Sequence, residues 1–172
     1  MSKIKAILYD LDGVLVDACE WHYEALNRAL QEVEGFTINR WEHENLYNAL
    51  PTRTKLNMLV SRGQIKQENT KRIFQLKQLY TKQVISELAK IDHEKIILHE
   101  NTRKILCDKT PIRIACVTNS IEETAHLMLE KTGQLPYIDY LVHNEIPRHP
   151  KPSAEGYIMA MIVLRAFPHE CL

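Results

Sequence analysis

No stretch of this chain approaches the roughly 20 consecutive apolar residues of a membrane-spanning helix, so no membrane role is expected. Neither sign of charge is in excess: 22 Lys and Arg balance 22 Asp and Glu. That removes the electrostatic reason to expect nucleic acid or an anionic surface as a partner. The first residues, Met1-Ser2-Lys3-Ile4-Lys5, carry no cleavable leader pattern, and a cytoplasmic, monomeric protein is expected. Cysteine is sparse. Cys19, Cys107, Cys116 and Cys171 lie far apart with no C-x-x-C pair, so reduced, unpaired thiols are expected, with Cys116 in the core. The eight histidines form no H-x-H or H-E-x-x-H pattern, and no zinc site is expected. Repeats and low-complexity segments are also lacking. What remains is an ordinary globular composition, 45% hydrophobic and 26% charged over 172 residues. That length fits one domain, or a core with a small insertion.

The informative stretch runs from Ile4 to Asp17. Ile4-Lys5-Ala6-Ile7-Leu8-Tyr9 is an apolar run of the kind buried in parallel sheets. It ends in Asp10-Leu11-Asp12-Gly13. Residues two apart on an extended chain point the same way, so Asp10 and Asp12 can share one site at the strand's C-terminal end. Gly13 permits a sharp turn there, and ligands of open α/β sheets bind at that edge. Two adjacent carboxylates resist ionising unless a cation joins them, which points to Mg²⁺ as cofactor. A calcium loop would need an acid at its twelfth position, where this chain has Trp21.

Behind Asp17 the period changes. Cys19, His22, Ala25, Leu26, Ala29, Leu30 and Val33 recur every three or four residues, predicting a helix that Gly35 ends. A second helix is predicted from Asn39 through Trp41, Leu46 and Leu50. A third starts at Pro51 and ends at Gly63. A long fourth helix carries Ile73, Leu76, Leu79, Tyr80, Val84, Leu88 and Ile91. From about 100 the chain alternates α and β. Asn101 is placed to cap a short helix ending near Cys107, and Ile112 to Thr118 reads as a strand. Ser120 and Glu123 match an S-x-x-E capping box, so a helix is expected directly after Asn119, ending at Gly133. Tyr140-Leu141-Val142 is a short strand, and Ser153 opens a helix through Leu164.

The run Tyr9-Asp10-Leu11-Asp12-Gly13-Val14-Leu15-Val16-Asp17 resembles the first motif of the haloacid dehalogenase superfamily, in particular its β-phosphoglucomutase and sugar-phosphatase subgroup. Two later stretches agree in order and spacing: Val117-Thr118-Asn119-Ser120 with the second motif, His149-Pro150-Lys151-Pro152 with the third. The resemblance implies an α/β fold. Its Rossmann-like core with a parallel sheet would take residues 1–16 and 92–172, and an inserted all-helical cap residues 17–91. It implies Mg²⁺-dependent phosphoryl transfer to Asp10, most simply hydrolysis of a small phosphorylated metabolite such as a sugar phosphate. A phosphomutase, in which a substrate hydroxyl replaces water, is the alternative.

Carried over by position, Asp10 is the nucleophile and a metal ligand. Asp12 is the general acid and base, and its backbone carbonyl is also a metal ligand. Thr118 contacts the phosphoryl group with Asn119 in support, and Lys151 neutralises developing charge. His22 falls where relatives keep a histidine near the hinge, although a packed helix-face histidine fits the pattern equally. Leu50 to Lys55 resembles the cap loop facing the substrate, with Ala49 where the family has glycine. Arg53 and Lys55 are candidates for a second anionic group, or simply an exposed basic loop.

The family's fourth motif, an acidic pair ending a further strand, has no counterpart. Pro168-His169-Glu170-Cys171-Leu172 resembles the lead-in to that strand, and neither Glu145 nor Glu170 is assigned to it. The expectation is an incomplete sheet and weakened Mg²⁺ binding, as in a fragment of a longer enzyme or a truncated product. A non-catalytic remnant that binds a phospho-ligand or a protein is the reading of a different class.

Overall fold

The computed structural model describes residues 3–48 and 50–172. The fold is α/β, and the chain forms two compact units, 18–88 and the remainder. Ala49 lies outside the described residues.

In the first unit, β1 (Ala6–Tyr9) pairs in parallel with β4 (Arg113–Val117), with Ala6 opposite Arg113 and Tyr9 opposite Cys116. β4 pairs in parallel with β5 (Tyr140–Val142). On the other side of β1, Cys171 bridges Ala6 in parallel, and the backbones of Ala6 and Leu8 bond Leu172. Lys5 adds an ion pair of 2.6 Å to Glu170, so Glu170 serves this pairing. The strand order is β1-β4-β5, and β1 lies between β4 and the Cys171–Leu172 segment.

Alternation along β4 builds two apolar faces. Ala115 and Val117 pack with Ala6, Val142, Ala160 and Leu164 under helix α7 (Glu155–Leu164). Ile114 and Cys116, fully buried, point to the other face. Burial holds the Cys116 thiol up at about 12, so it is an inert core residue. None of the four cysteines forms a disulfide.

Several local expectations shift in this unit. Asn101 does not open a helix. It lies within α5 (His93–Lys104), whose cap is the Asp92 carboxylate accepting from Lys95 N–H at 2.9 Å. Cys107 instead belongs to a short hairpin of β2 (Leu106–Cys107) and β3 (Thr110–Pro111). Helix α6 (Glu122–Lys131) starts later than expected, because the Ser120–Glu123 capping box does not form. The Ser120 hydroxyl turns to Asp12 instead.

The second unit is helical. α1 (Cys19–Glu34) ends at Gly35, whose φ of 63° is the left-handed cap. It packs along α4 (Thr70–Leu88). Leu26, Leu30, Tyr47, Leu59 and Ile73 form the core. Between them, α2 (Arg40–Glu42) carries an Asn39–Glu42 capping box and continues into a π-helical turn, His43–Tyr47. That wider turn brings His43 and Tyr47 inward, while Trp41 and Leu50, expected on the apolar face, are exposed. α3 (Thr52–Ser61) starts one residue after Pro51. Ile91 lies beyond the end of α4 and is exposed.

Candidate active site at the sheet edge

β1 delivers its carboxylates into a tight loop. Leu15 and Val16 N–H both donate to Leu11 C=O at 3.0 Å, and Gly13 N–H donates to Val16 C=O at 2.8 Å. Gly13 holds φ 79°, a conformation that a side chain resists. Leu11 and Leu15 are buried and anchor this loop, and Asp12 is exposed.

The loop is also held from beneath. Gln134 Nε2 donates to Leu15 C=O at 2.8 Å and its Oε1 meets His99 Nε2 at 3.0 Å. Both side chains are fully buried, and burial keeps the His99 imidazolium disfavoured, opposed by the Gln134 bond. A buried polar pair of this kind specifies one arrangement because leaving either partner unsatisfied is costly.

Lys151 Nζ donates to Asp10 Oδ1 at 2.5 Å and to Val117 C=O at 3.0 Å. Leu11 N–H donates to the same Asp10 oxygen at 2.7 Å. The Asp10 side chain is 39% exposed and that of Lys151 19%, so the pair is partly desolvated but open on one side. Thr118 follows β4, buried, with its N–H on Val142 C=O at 2.8 Å. Its Oγ1 accepts from Ser120 N–H at 3.0 Å. Ser120 Oγ donates to Asp12 Oδ2 at 3.3 Å. The Asn119 carboxamide bonds the Lys151 main chain twice, donating to its C=O at 3.1 Å and accepting from its N–H at 2.9 Å. Asn119 therefore holds Lys151 in place.

Glu155 also orders the Lys151 loop. Its carboxylate accepts from the N–H groups of Arg148 and His149 and meets His149 Nδ1 at 2.9 Å. These bonds, that of Arg148 foremost, hold the Glu155 carboxyl below its ordinary range. Sequence reasoning missed the roles of Gln134, Ser120 and Glu155. Gln134 and Glu155 lie outside the motifs although they bond main-chain groups within them, at Leu15 and His149, and Ser120 was read as a cap.

The structure thus brings Asp10, Asp12, Thr118, Asn119 and Lys151 together. Residues 7–172 match the family described as haloacid dehalogenase-like hydrolase. The chain belongs to that family. Its likeness to a phosphorylated carbohydrates phosphatase of Thermotoga maritima is 28% identity over 97% of this chain and 74% of that protein. A solved β-phosphoglucomutase of Clostridium difficile superposes with a TM-score of 0.68 at 22% identity, over 98% of this chain and 74% of that one. A family IA hydrolase of Entamoeba histolytica superposes at 0.78 with 19% identity, over 98% and 74%. The hydrolase family carries the enzyme assignment, and the two superpositions carry the fold.

The remaining candidates lie in the helical unit. His22 Nδ1 stands 3.4 Å from Lys77 Nζ. Lys55 is buried, as is Lys77. Arg53 is exposed, its guanidinium 5.5 Å from the centroid of the Phe74 ring. His43, also buried, has Cys19 Sγ 4.0 Å from its Nδ1. Burial first, then the nearby Lys55 and His22, hold its pKa down at about 4. Among the described residues, no helix is long and apolar enough to cross a membrane.

Proposed function

We propose that this chain catalyses phosphoryl transfer from a small phosphorylated carbohydrate, with Asp10 as nucleophile and water as the final acceptor. The observation that carries this is the Lys151–Asp10 contact of 2.5 Å just past the C-terminal end of β1. Family membership and the phosphatase relative support it.

Asp10 would attack phosphorus and form an aspartyl-phosphate, dividing one difficult displacement into two easier ones. Its Oδ1 is occupied by Lys151 and Leu11 N–H, so Oδ2 is the attacking atom. Lys151 balances charge on the carboxylate and on the equatorial phosphoryl oxygens as the transition state forms. Thr118 has its oxygen engaged by Ser120 N–H, which orients its hydroxyl proton for a phosphoryl oxygen. Asp12 protonates the leaving oxygen, then takes the proton of the attacking water. Its bond from Ser120 holds it against the segment that carries Thr118.

The donor set fits Mg²⁺. Two carboxylates on one tight loop, one of them exposed, supply hard oxygen ligands. Asp10 and the Asp12 position would hold the ion, which when bound supplies neutralisation of the phosphoryl charge. The helical unit, 18–88, would act as the cap that excludes water and selects the substrate. His22, Arg53 and Lys55 are its candidate contacts.

The test is phosphate release, alongside isomer exchange, across a panel of phosphosugars with Mg²⁺. Release without exchange is expected, and exchange without net release would assign a phosphomutase. Neither activity on any member of the panel would reject phosphoryl transfer by this chain.

A further inference from the structure

We infer that Glu122, His143 and Glu145 form a second cation site, one for a divalent transition-metal ion and separate from the Asp10–Asp12 loop. Glu122 is the first residue of α6, and His143 and Glu145 lie in the turn that leaves β5. His143 Nε2 stands 3.7 Å from Glu122 Oε2, and Nδ1 stands 3.4 Å from Glu145 Oε2. One ligand atom from each of the three residues lies within 4.8 Å of the others.

A second observation points the same way. His143 Nδ1 is buried and makes no hydrogen bond, although a carboxylate lies beside it. A buried ring nitrogen left unpaired costs free energy, and a metal bond would recover it. The imidazole also selects the class of ion. Mg²⁺ and Ca²⁺ take oxygen ligands, whereas one imidazole with two carboxylates suits Zn²⁺ and its neighbours. Zinc bonds of about 2.1 Å set tetrahedral ligand atoms about 3.4 Å apart. The glutamate side chains are 58% and 60% exposed, so they are free to close the remaining gap.

Occupation would reach the reaction centre through the backbone. Glu145 Oε2 already accepts from Glu122 N–H at 3.2 Å, and Asn144 N–H donates to Ser120 C=O at 3.1 Å. An ion here would clamp the turn after β5 to the start of α6 and stiffen the Thr118–Ser120 segment that leads into that helix.

Zn²⁺ titration by calorimetry tests this in the full chain carrying Asp10→Asn and Asp12→Asn, which removes the competing carboxylates. One Zn²⁺ per chain should still bind, and its addition should raise the melting temperature. Adding Glu122→Gln or Glu145→Gln should each weaken binding at least tenfold. These side chains are exposed, so the metal-free melting temperature should stay unchanged and confirm the fold. His143→Ala should abolish both the binding and the thermal shift. Loss of Zn²⁺ binding in the Asp10/Asp12 variant itself, or unchanged affinity in either glutamine variant, would overturn the site.

Discussion

Lys151 Nζ lies 2.5 Å from Asp10 Oδ1, although 141 positions separate the two residues. The same ammonium caps Val117 C=O, which ends β4. One lysine thus ties the nucleophile candidate to the neighbouring strand. Asp10→Asn should abolish phosphate release while leaving the circular dichroism spectrum unchanged. Lys151→Met should lower kcat by about 10²- to 10³-fold, the usual loss for one charge-stabilising donor. Turnover retained by Asp10→Asn would remove it from the nucleophile role.

Asn119 acts through Lys151. With both ends of its carboxamide on the Lys151 main chain, Asn119→Ala should misplace the ammonium without touching substrate. A drop of about ten- to a hundred-fold in kcat is expected, the scale of a small misplacement, with KM little changed. Asn119→Asp, which keeps the acceptor for Lys151 N–H, should recover part of it. A rise in KM alone would mean that Asn119 contacts substrate.

The buried His43 makes the helical unit acid-sensitive. Its folded pKa of about 4 lies below the ordinary imidazole value, so the unfolded chain takes up a proton that the folded one refuses. Its contribution to stability is complete above about pH 6.5 and is lost progressively as pH falls toward about 4. The melting temperature should therefore drop between about pH 7 and about pH 5. His43→Leu should reduce that drop, and an equal drop in the variant would place the sensitivity elsewhere.

Gly156 is where α7 meets the sheet. A Cβ there would stand 3.1 Å from Val117 Cγ1 and 3.4 Å from Val142 Cγ1. Gly156→Leu should destabilise by about 1–3 kcal/mol, the usual cost of overpacking, read by thermal melting. Because Val117 C=O receives Lys151, kcat should fall as well. Unchanged stability in Gly156→Leu would show that α7 can lift from β4 at no cost.

Features with a short-range cause were legible in the chain. The apolar run into Asp10-Leu11-Asp12-Gly13 announced a strand ending in a turn, because strand period and glycine conformation are local properties, although of β1 only Ala6 is fully buried. The period of three and four, with Gly35 behind it, announced α1. Tyr140 to Val142 was equally plain as β5. Where a side chain has two possible partners, local rules lost. Ser120 could cap α6 or reach Asp12, and a residue 108 positions away took it. Asn101 looked like a cap until Asp92 supplied a better one upstream. Gln134 carries no motif, yet its carboxamide fixes the loop behind Asp10 at Leu15 C=O. Spacing in the sequence sets which face a residue occupies, because helix and strand have fixed periods. Which of several hydrogen-bond partners it finally meets depends on chain segments brought together only when the sheet closes, and burial then makes the unmet alternatives costly.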